Sequence, residues 1–399
     1  MTGQKSYLLM ARGSSHIRYF RAFAKASVLP VEVVKVNREP VTPGCLVHLS
    51  KVSRRHITSL LTPHIAKKAR KYPTLSNTPL WWVYKKCLGF YLKVDVAKYI
   101  NIIQRKQPDV VGVWNGQKLP SATIAVAAAI LGKEVVHFEN GLLPDSTTCD
   151  WSGVNCLNSL PRDAGFYLKF AHDMALPQHL IPRAPRKEKA KGVDVESLPE
   201  KFVFVPFQVE TDSQIITNSP WIKSMEQFYE LLCRVVDKVG DPGLRVVIKE
   251  HPSEITRHDA LHHRHRHILF ANQCNTKTLI EKSDAVLTIN STVGLESLLL
   301  GKPVMVMGKA CYALDGVCTR IDNEEALVAA LAQPGASVGE PEIRRGFLNF
   351  LYQYYVIPKA WNSAESQHFE ALTKRLLKTD QFSQFLAEYH GASDVTTLH

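Results

Sequence analysis

The chain has 399 residues, 45% hydrophobic and 22% charged, with Gly and Pro scattered without period, which excludes collagen-like, low-complexity and wholly disordered classes and predicts two or three domains. Its longest uninterrupted apolar run, residues 124–131, is far short of the ~20 needed to cross a bilayer. Charge is uneven: residues 1–200 hold 29 Lys+Arg against 14 Asp+Glu and residues 201–399 hold 20 against 23, so the first half should meet something anionic, whether nucleic acid, anionic lipid or acidic glycan.

The N-terminus lacks the long apolar core of a signal peptide; residues 6–11 read as a strand entering the Arg12-Gly13 turn, and a cytoplasmic protein is expected. Runs at 7–10, 31–36, 110–114 and 134–138 predict buried parallel strands with helices between them. Residues 67–93 mix Lys67, Lys68, Arg70, Lys71, Lys85, Lys86 and Lys93 with Trp81, Trp82, Tyr84, Phe90 and Tyr91. That mixture suits an anionic membrane surface or single-stranded RNA, and equally a core helix with a basic outer face. A second series of strands is predicted at 202–205, 245–248, 285–288 and 304–307. The charged, proline-punctuated segment 181–200 is the predicted linker between a domain over 1–180 and one over 201–340. Helices over 341–378 are expected to cross back to the first domain, and 379–399 to form a weakly ordered tail.

Doubly wound sheets bind ligands beyond the carboxyl ends of their strands, so residues there carry the functional expectations. Glu139-Asn140-Gly141 follows the run 134–138, although a solvated turn carboxylate is the simpler account of the motif alone. Gln208-Val209-Glu210-Thr211-Asp212-Ser213-Gln214 follows 202–205, where Asp212 or Ser213 suits a helix N-cap. Lys249 and His251-Pro252 follow 245–248 and suggest anion contact. Asn290-Ser291-Thr292 opens a helix, which makes either a phosphate site or an ordinary capping box, and Glu296 lies one turn in, within reach of a ribose hydroxyl. Eight cysteines show no paired zinc-ligand spacing, and the run 262–267 reads as a solvated basic loop rather than a metal site.

Taken together, Glu139-Asn140-Gly141, Gly153-Val154-Asn155, Leu160-Pro161-Arg162-Asp163, Gln208 to Gln214 and Asn290 to Glu296 resemble the bacterial retaining β-Kdo transferases of capsule and O-antigen assembly. The resemblance extends over about residues 110–320. The resemblance implies an α/β GT-B-like fold, two Rossmann-like doubly wound domains facing a cleft, and transfer of Kdo from CMP-β-Kdo with retention of configuration. It implies Asp212 as nucleophile, with Glu139 as the acid/base candidate on the opposing domain. His251, Lys249, Gln208, Gln214 and the Asn290-Ser291-Thr292 helix start would bind the donor and its departing phosphate, and Arg162, Lys118 or Arg12 would meet the Kdo carboxylate. No metal and no cofactor are expected, since the donor carries one phosphate and no Asp-x-Asp motif occurs. The acceptor would be a glycan or glycolipid, with the basic first half meeting the inner face of the inner membrane or an anionic glycan; the absence of an RNA-binding aromatic motif argues against nucleic acid. The alternatives are another CMP-releasing transferase, such as a sialyltransferase or polyol-phosphate polymerase, and a non-catalytic basic adaptor.

Overall fold

All eight predicted strand runs form parallel strands, four in each of two units, and all but Val31–Lys35 and Glu134–Asn140 are buried along their length. The computed structural model describes residues 4–176, 192–254, 258–336 and 339–396. One unit comprises Met1–Leu160 with Tyr354–His399, the other Pro161–Gln353. Strands are numbered along the chain: β1 (Tyr7–Ala11), β2 (Val31–Lys35), β3 (Val110–Trp114), β4 (Glu134–Asn140), β5 (Ser146–Asp150), β6 (Val203–Pro206), β7 (Val246–Lys249), β8 (Ile268–Phe270), β9 (Ala285–Thr288), β10 (Val304–Val306), β11 (Thr319–Arg320) and β12 (Ile357–Pro358).

In the first unit the sheet runs β2-β1-β3-β4-β5-β12, parallel from β2 to β4 and antiparallel across β5 and β12. Successive strand residues point to opposite faces. Leu8, Met10, Val111 and Val113 therefore join one apolar layer with Ile100 and Ile103, and Tyr7, Leu9 and Phe138 join the other with Phe20 and Phe23. Burial on both faces is what allows continuous apolar strands instead of alternating ones.

The second unit has the order β8-β7-β6-β9-β10-β11, parallel throughout. Counted from β6 this is 3-2-1-4-5-6, the dinucleotide-fold order whose direction of winding reverses between β6 and β9. Helix Met225–Val239 shows how locally its elements are encoded. Ser224 caps it by accepting from Gln227 N–H, Phe228, Leu231, Leu232 and Val235 line its buried stripe, and Gly240 ends it at φ +66°. The fold class is thus α/β with two Rossmann-like units, as expected for a GT-B-type chain.

Several boundaries differ from the sequence expectation. Most of the expected linker, 177–191, lies outside the described residues. The chain changes unit at Leu160/Pro161 and at Gln353/Tyr354, not within 181–200 or at 341. The physical reason is an aromatic cluster: Phe166 and Phe170 pack on Phe350 at 5.1 and 4.7 Å, and Tyr167 on Phe347 at 5.1 Å. An added Cβ at Gly346 would meet the Tyr167 carbonyl oxygen at 2.0 Å, so glycine permits that approach. Helix Pro341–Phe350 accordingly belongs to the second unit. Residues Gln381–Thr396 form a helix.

Arg375 anchors this C-terminal segment within the first unit. It is 1% exposed, pairs with Asp380 at 2.5 Å, donates to the carbonyls of Cys149 and Tyr354 at 2.9 and 2.6 Å, and lies 4.4 Å from the Phe382 ring.

Burial holds His16, His137 and His368 below their ordinary pKa. His368 shows the cost of charging such a ring: Nδ1–H donates to the Pro358 carbonyl at 2.7 Å while Nε2 accepts from the Tyr19 hydroxyl at 2.7 Å. A depressed histidine pKa means the unfolded chain binds more protons, so stability is present above the unfolded value of 6.5 and is lost as pH falls below it. Five of the six tryptophans lie in the first unit, so tryptophan fluorescence mainly reports that unit. The expected result is a lower urea midpoint at about pH 5.5 than at about pH 7.5 by this probe.

Candidate functional site

Each unit gathers polar residues at the carboxyl edge of its parallel strands, where the winding reverses and loops diverge. In the second unit the reversal is bridged directly. Gln208, just beyond β6, donates through Nε2 to Asn290 Oδ1 at 2.9 Å and accepts at Oε1 from Asn290 N–H at 3.1 Å. Asn290, just beyond β9, donates through Nδ2 to the carbonyls of Gln214 and Asn218 at 3.0 and 3.1 Å. Both side chains are buried, so Gln208 and Asn290 hold the loop floor rather than present free amides to a ligand.

On that floor Asp212 is half-buried and N-caps the short helix Ser213–Thr217, its Oδ1 accepting from Gln214 N–H at 3.0 Å and from the Ser213 hydroxyl at 3.2 Å. The capping account made from the sequence is therefore what the structure shows, and it leaves the carboxylate at the edge of the switch point. Gln214 Oε1 accepts from Asn218 Nδ2 at 3.0 Å.

The loop after β7 is tied to the same place. Glu254 accepts from Glu210 N–H at 2.8 Å, and Glu210 accepts from Met225 N–H at 2.6 Å. His251 sits between them in sequence, half-buried, with Nδ1 accepting from Ser253 N–H at 3.1 Å.

Lys249 corrects the expectation that an ammonium and an imidazole share the strand edge. It is 5% exposed and donates to the carbonyls of Asn272 and Cys274 at 3.0 and 2.6 Å. Burial lowers its pKa, and alternation along β7 turns it inward.

Helix Thr292–Leu299 begins at β9's end with Ser291 as N-cap, accepting from Val293 N–H at 3.2 Å, and Tyr312 donates its hydroxyl to the Ser291 carbonyl. The Tyr312 hydroxyl would lie 2.3 Å from a Cβ at Gly294, so glycine is what lets the tyrosine brace the helix start. Ser291, Thr292 and Glu296 are half-buried. Such a helix start supplies N–H groups and a positive dipole end to an anion. Arg162 is exposed in this unit and donates to the Cys311 carbonyl at 3.3 Å. Of the predicted residues, the fold thus brings Asp212, His251, Ser291 and Thr292 to three adjacent strand ends, β9-β6-β7, and withdraws Lys249.

The histidine run is not a solvated loop throughout: His262 stacks on Phe270 at 4.0 Å, His265 pairs with Asp237 at 3.1 Å, and His267 is buried against Arg245 and the Leu244 carbonyl. Met305 and Met307 are core residues.

In the first unit Glu139 lies inside β4, opposite Thr148, because the unpredicted strand β5 extends the ladder. Its Oε2 accepts from Asn115 Nδ2 at 2.5 Å and its Oε1 from Asn140 N–H at 2.9 Å. Asn115 is buried, adopts φ +68°, and is followed by Gly116 at φ +78°, where an added Cβ would come within 2.2 Å of His137 Nδ1. The sequence reading missed Asn115, although an Asn-Gly pair directly after a predicted strand was the available signal. Beside it His16 stacks on Trp114 at 3.9 Å and meets Trp361 edge-on at 4.9 Å, while Trp361 donates to Asn140 Oδ1 at 2.8 Å. Trp361 joins this cluster from 221 residues beyond Asn140, which no local pattern announces. Arg12 and Lys118, both exposed, belong to this unit.

Residues 183–333, which hold every predicted site residue of the second unit except Arg162, match the family model described as capsule polysaccharide biosynthesis protein. The chain is 37% identical over 270 residues to Protein FixF of Sinorhizobium fredii, covering 67% of this chain and 64% of that protein. It is 27% identical over 248 residues to the capsule polysaccharide export protein KpsS of Escherichia coli, covering 47% and 63% respectively. The chain thus spans just under two thirds of the length of these curated relatives. Among solved structures, a β-Kdo 2,7 transferase, KpsC of Thermosulfurimonas dismutans, aligns over 94% of this chain and 100% of that one, at 17% identity and a TM-score of 0.45.

Proposed function

We propose that the chain is a glycosyltransferase of capsule-type polysaccharide assembly that takes Kdo from CMP-β-Kdo and transfers it, with retention, to a glycan or glycolipid acceptor at the inner face of the inner membrane. The observation that carries the reading is the convergence of Asp212, His251 and the Ser291-Thr292 helix start on the switch point of the second unit, inside the span that matches the capsule polysaccharide biosynthesis model.

In this reading an Asp212 oxygen attacks the anomeric carbon as the bond to CMP breaks, and the electron pair leaves on the phosphate oxygen. The helix start and a His251 ring N–H stabilise that departing charge. An acceptor hydroxyl then attacks the same carbon, its proton passing to the Glu139 carboxylate while the Asp212 oxygen departs; two inversions give retention. Asn115 is the positioning residue that holds Glu139. Glu296 takes a ribose hydroxyl, and Arg162, Lys118 or Arg12 meets the Kdo carboxylate. With one phosphate leaving, the reading requires neither metal nor cofactor.

Incubation with CMP-Kdo, CMP-sialic acid or CDP-glycerol and a set of glycan acceptors tests this. Release of CMP from CMP-Kdo with a β-linked product supports it; consumption of either competitor alone assigns a different transferase. Glu139→Gln should lower transfer by about 10²–10⁴-fold while the sugar–protein adduct accumulates, because the first displacement does not need the base. Mass spectrometry of the intact variant reads the adduct, and unchanged turnover removes Glu139 from the chemistry.

A further inference from the structure

The positive charge of the first half is concentrated in two helices inserted between β2 and β3, Arg54–Lys71 and Pro79–Lys106. The longer one changes character along its length. Leu92, Val96, Ile100 and Ile103 are 0% exposed, as a core helix requires. Its first turns behave differently: Leu80, Val83, Phe90 and Tyr91 are 68%, 47%, 66% and 60% exposed, and Cys87 is exposed with them. At 3.6 residues per turn these five positions fall within about 100° of arc, a single apolar stripe. Trp81 and Leu88, on another side of the same turns, already pack inward, so the stripe is not the core face. Lys86 and Lys93 border one edge of it, and Lys86 Nζ lies 5.4 Å from the ring of Trp82, itself 62% exposed.

We infer that this stripe lies in the surface of an anionic lipid bilayer, with its apolar side chains at the acyl boundary and its lysines at the phosphates. An in-plane amphipathic helix with aromatic residues on the apolar side and lysines beside them has this composition. Charge selects the occupant. Residues 51–100 carry eleven Lys and Arg and one acid, and that acid, Asp95, is buried and paired with Lys98 at 2.8 Å. A second copy would bring the same sign of charge against it, whereas phosphatidylglycerol supplies the opposite sign. No helix among the described residues is long and apolar enough to cross a membrane, so the contact lies along the surface. The inference stands on this helix alone and not on the donor chemistry.

The full chain is sedimented with vesicles of phosphatidylglycerol and phosphatidylethanolamine, and with vesicles of phosphatidylcholine. Binding to the anionic vesicles that weakens with added salt is expected. Leu80→Ser with Phe90→Ser, and separately Lys86→Glu with Lys93→Glu, should each reduce it by about tenfold or more with an unchanged urea midpoint, since all four side chains reach solvent. Absence of binding to anionic vesicles at low salt overturns the inference, as does full binding by the apolar double variant. A dimer in solution that the apolar substitutions dissolve assigns the stripe to a second copy, and RNA binding tighter than vesicle binding assigns the charge to nucleic acid. CMP-Kdo turnover on a soluble acceptor, measured in the same variants, reports the donor reading independently.

Discussion

Asp212→Asn is expected to leave the protein as stable as the parent and to reduce sugar transfer by at least about a thousandfold. The two halves of that result separate the two roles the side chain has. As an N-cap, Asp212 accepts from Gln214 N–H through Oδ1, and an asparagine carbonyl accepts from the same group at nearly the same strength. As a nucleophile it must supply a carboxylate oxygen, which a carboxamide does not replace. Asp212→Ala removes both and should add a loss of about 1 kcal/mol in stability. Urea unfolding reads the first role; CMP release and the mass of the protein after incubation with CMP-Kdo read the second. An Asp212→Asn protein that still transfers sugar and still forms an adduct would show that the residue is a cap alone, and the proposed mechanism would fall with it.

Arg375→Ala should destabilise the first unit by about 3–5 kcal/mol, among the largest effects of a single substitution in this chain. The guanidinium is 1% exposed and divides its donors among the Asp380 carboxylate and two carbonyls, one on β5 and one at Tyr354 where the chain re-enters the unit. Removing it leaves a half-buried carboxylate without its cation and two main-chain acceptors without their donor, while the Phe382 ring loses its cationic neighbour. Arg375→Lys keeps the charge but not the planar fork, so it should fall between parent and Ala. Tryptophan-monitored denaturation follows the unit concerned, because Trp221 alone of the six lies outside it. A loss below about 1 kcal/mol would mean that the C-terminal segment is held by its apolar contacts without this clasp.

Much of the architecture was legible in the amino-acid order. Four runs in each half are rich in β-branched residues and bounded by Gly, Pro and polar loops, and each forms a parallel strand; the central ones, such as β1, β3, β6, β7 and β9, are buried throughout, whereas β2 at the sheet edge buries only Val34. β5 escaped notice because Ser146-Thr147-Thr148-Cys149-Asp150 has no apolar pattern; it is a strand through its ladder to β4 and through Asp150, which accepts from the N–H groups of Ser152, Gly153 and Ser159. The division between units escaped for a related reason: Phe166, Tyr167 and Phe170 choose their unit by packing on rings more than 170 residues away.

At the site, local chemistry placed Asp212, His251 and Ser291 after strands, and the sheet order made them neighbours. The chain order alone separates them by 39 and 40 residues; the 3-2-1-4-5-6 winding sets β9, β6 and β7 side by side. Which polar side chains face outward was decided later still. Lys249 and Asn290 look as available as His251 in the sequence, yet each is consumed by carbonyls within the loop floor, since a buried polar group must find a partner before it can serve a ligand. The order of residues determined the strands, the helix starts and the uneven charge, all of which depend on near neighbours. Only the tertiary structure decided which carboxylates share an edge with which donors, because those partners meet through sheet pairing and side-chain packing across long separations in the chain.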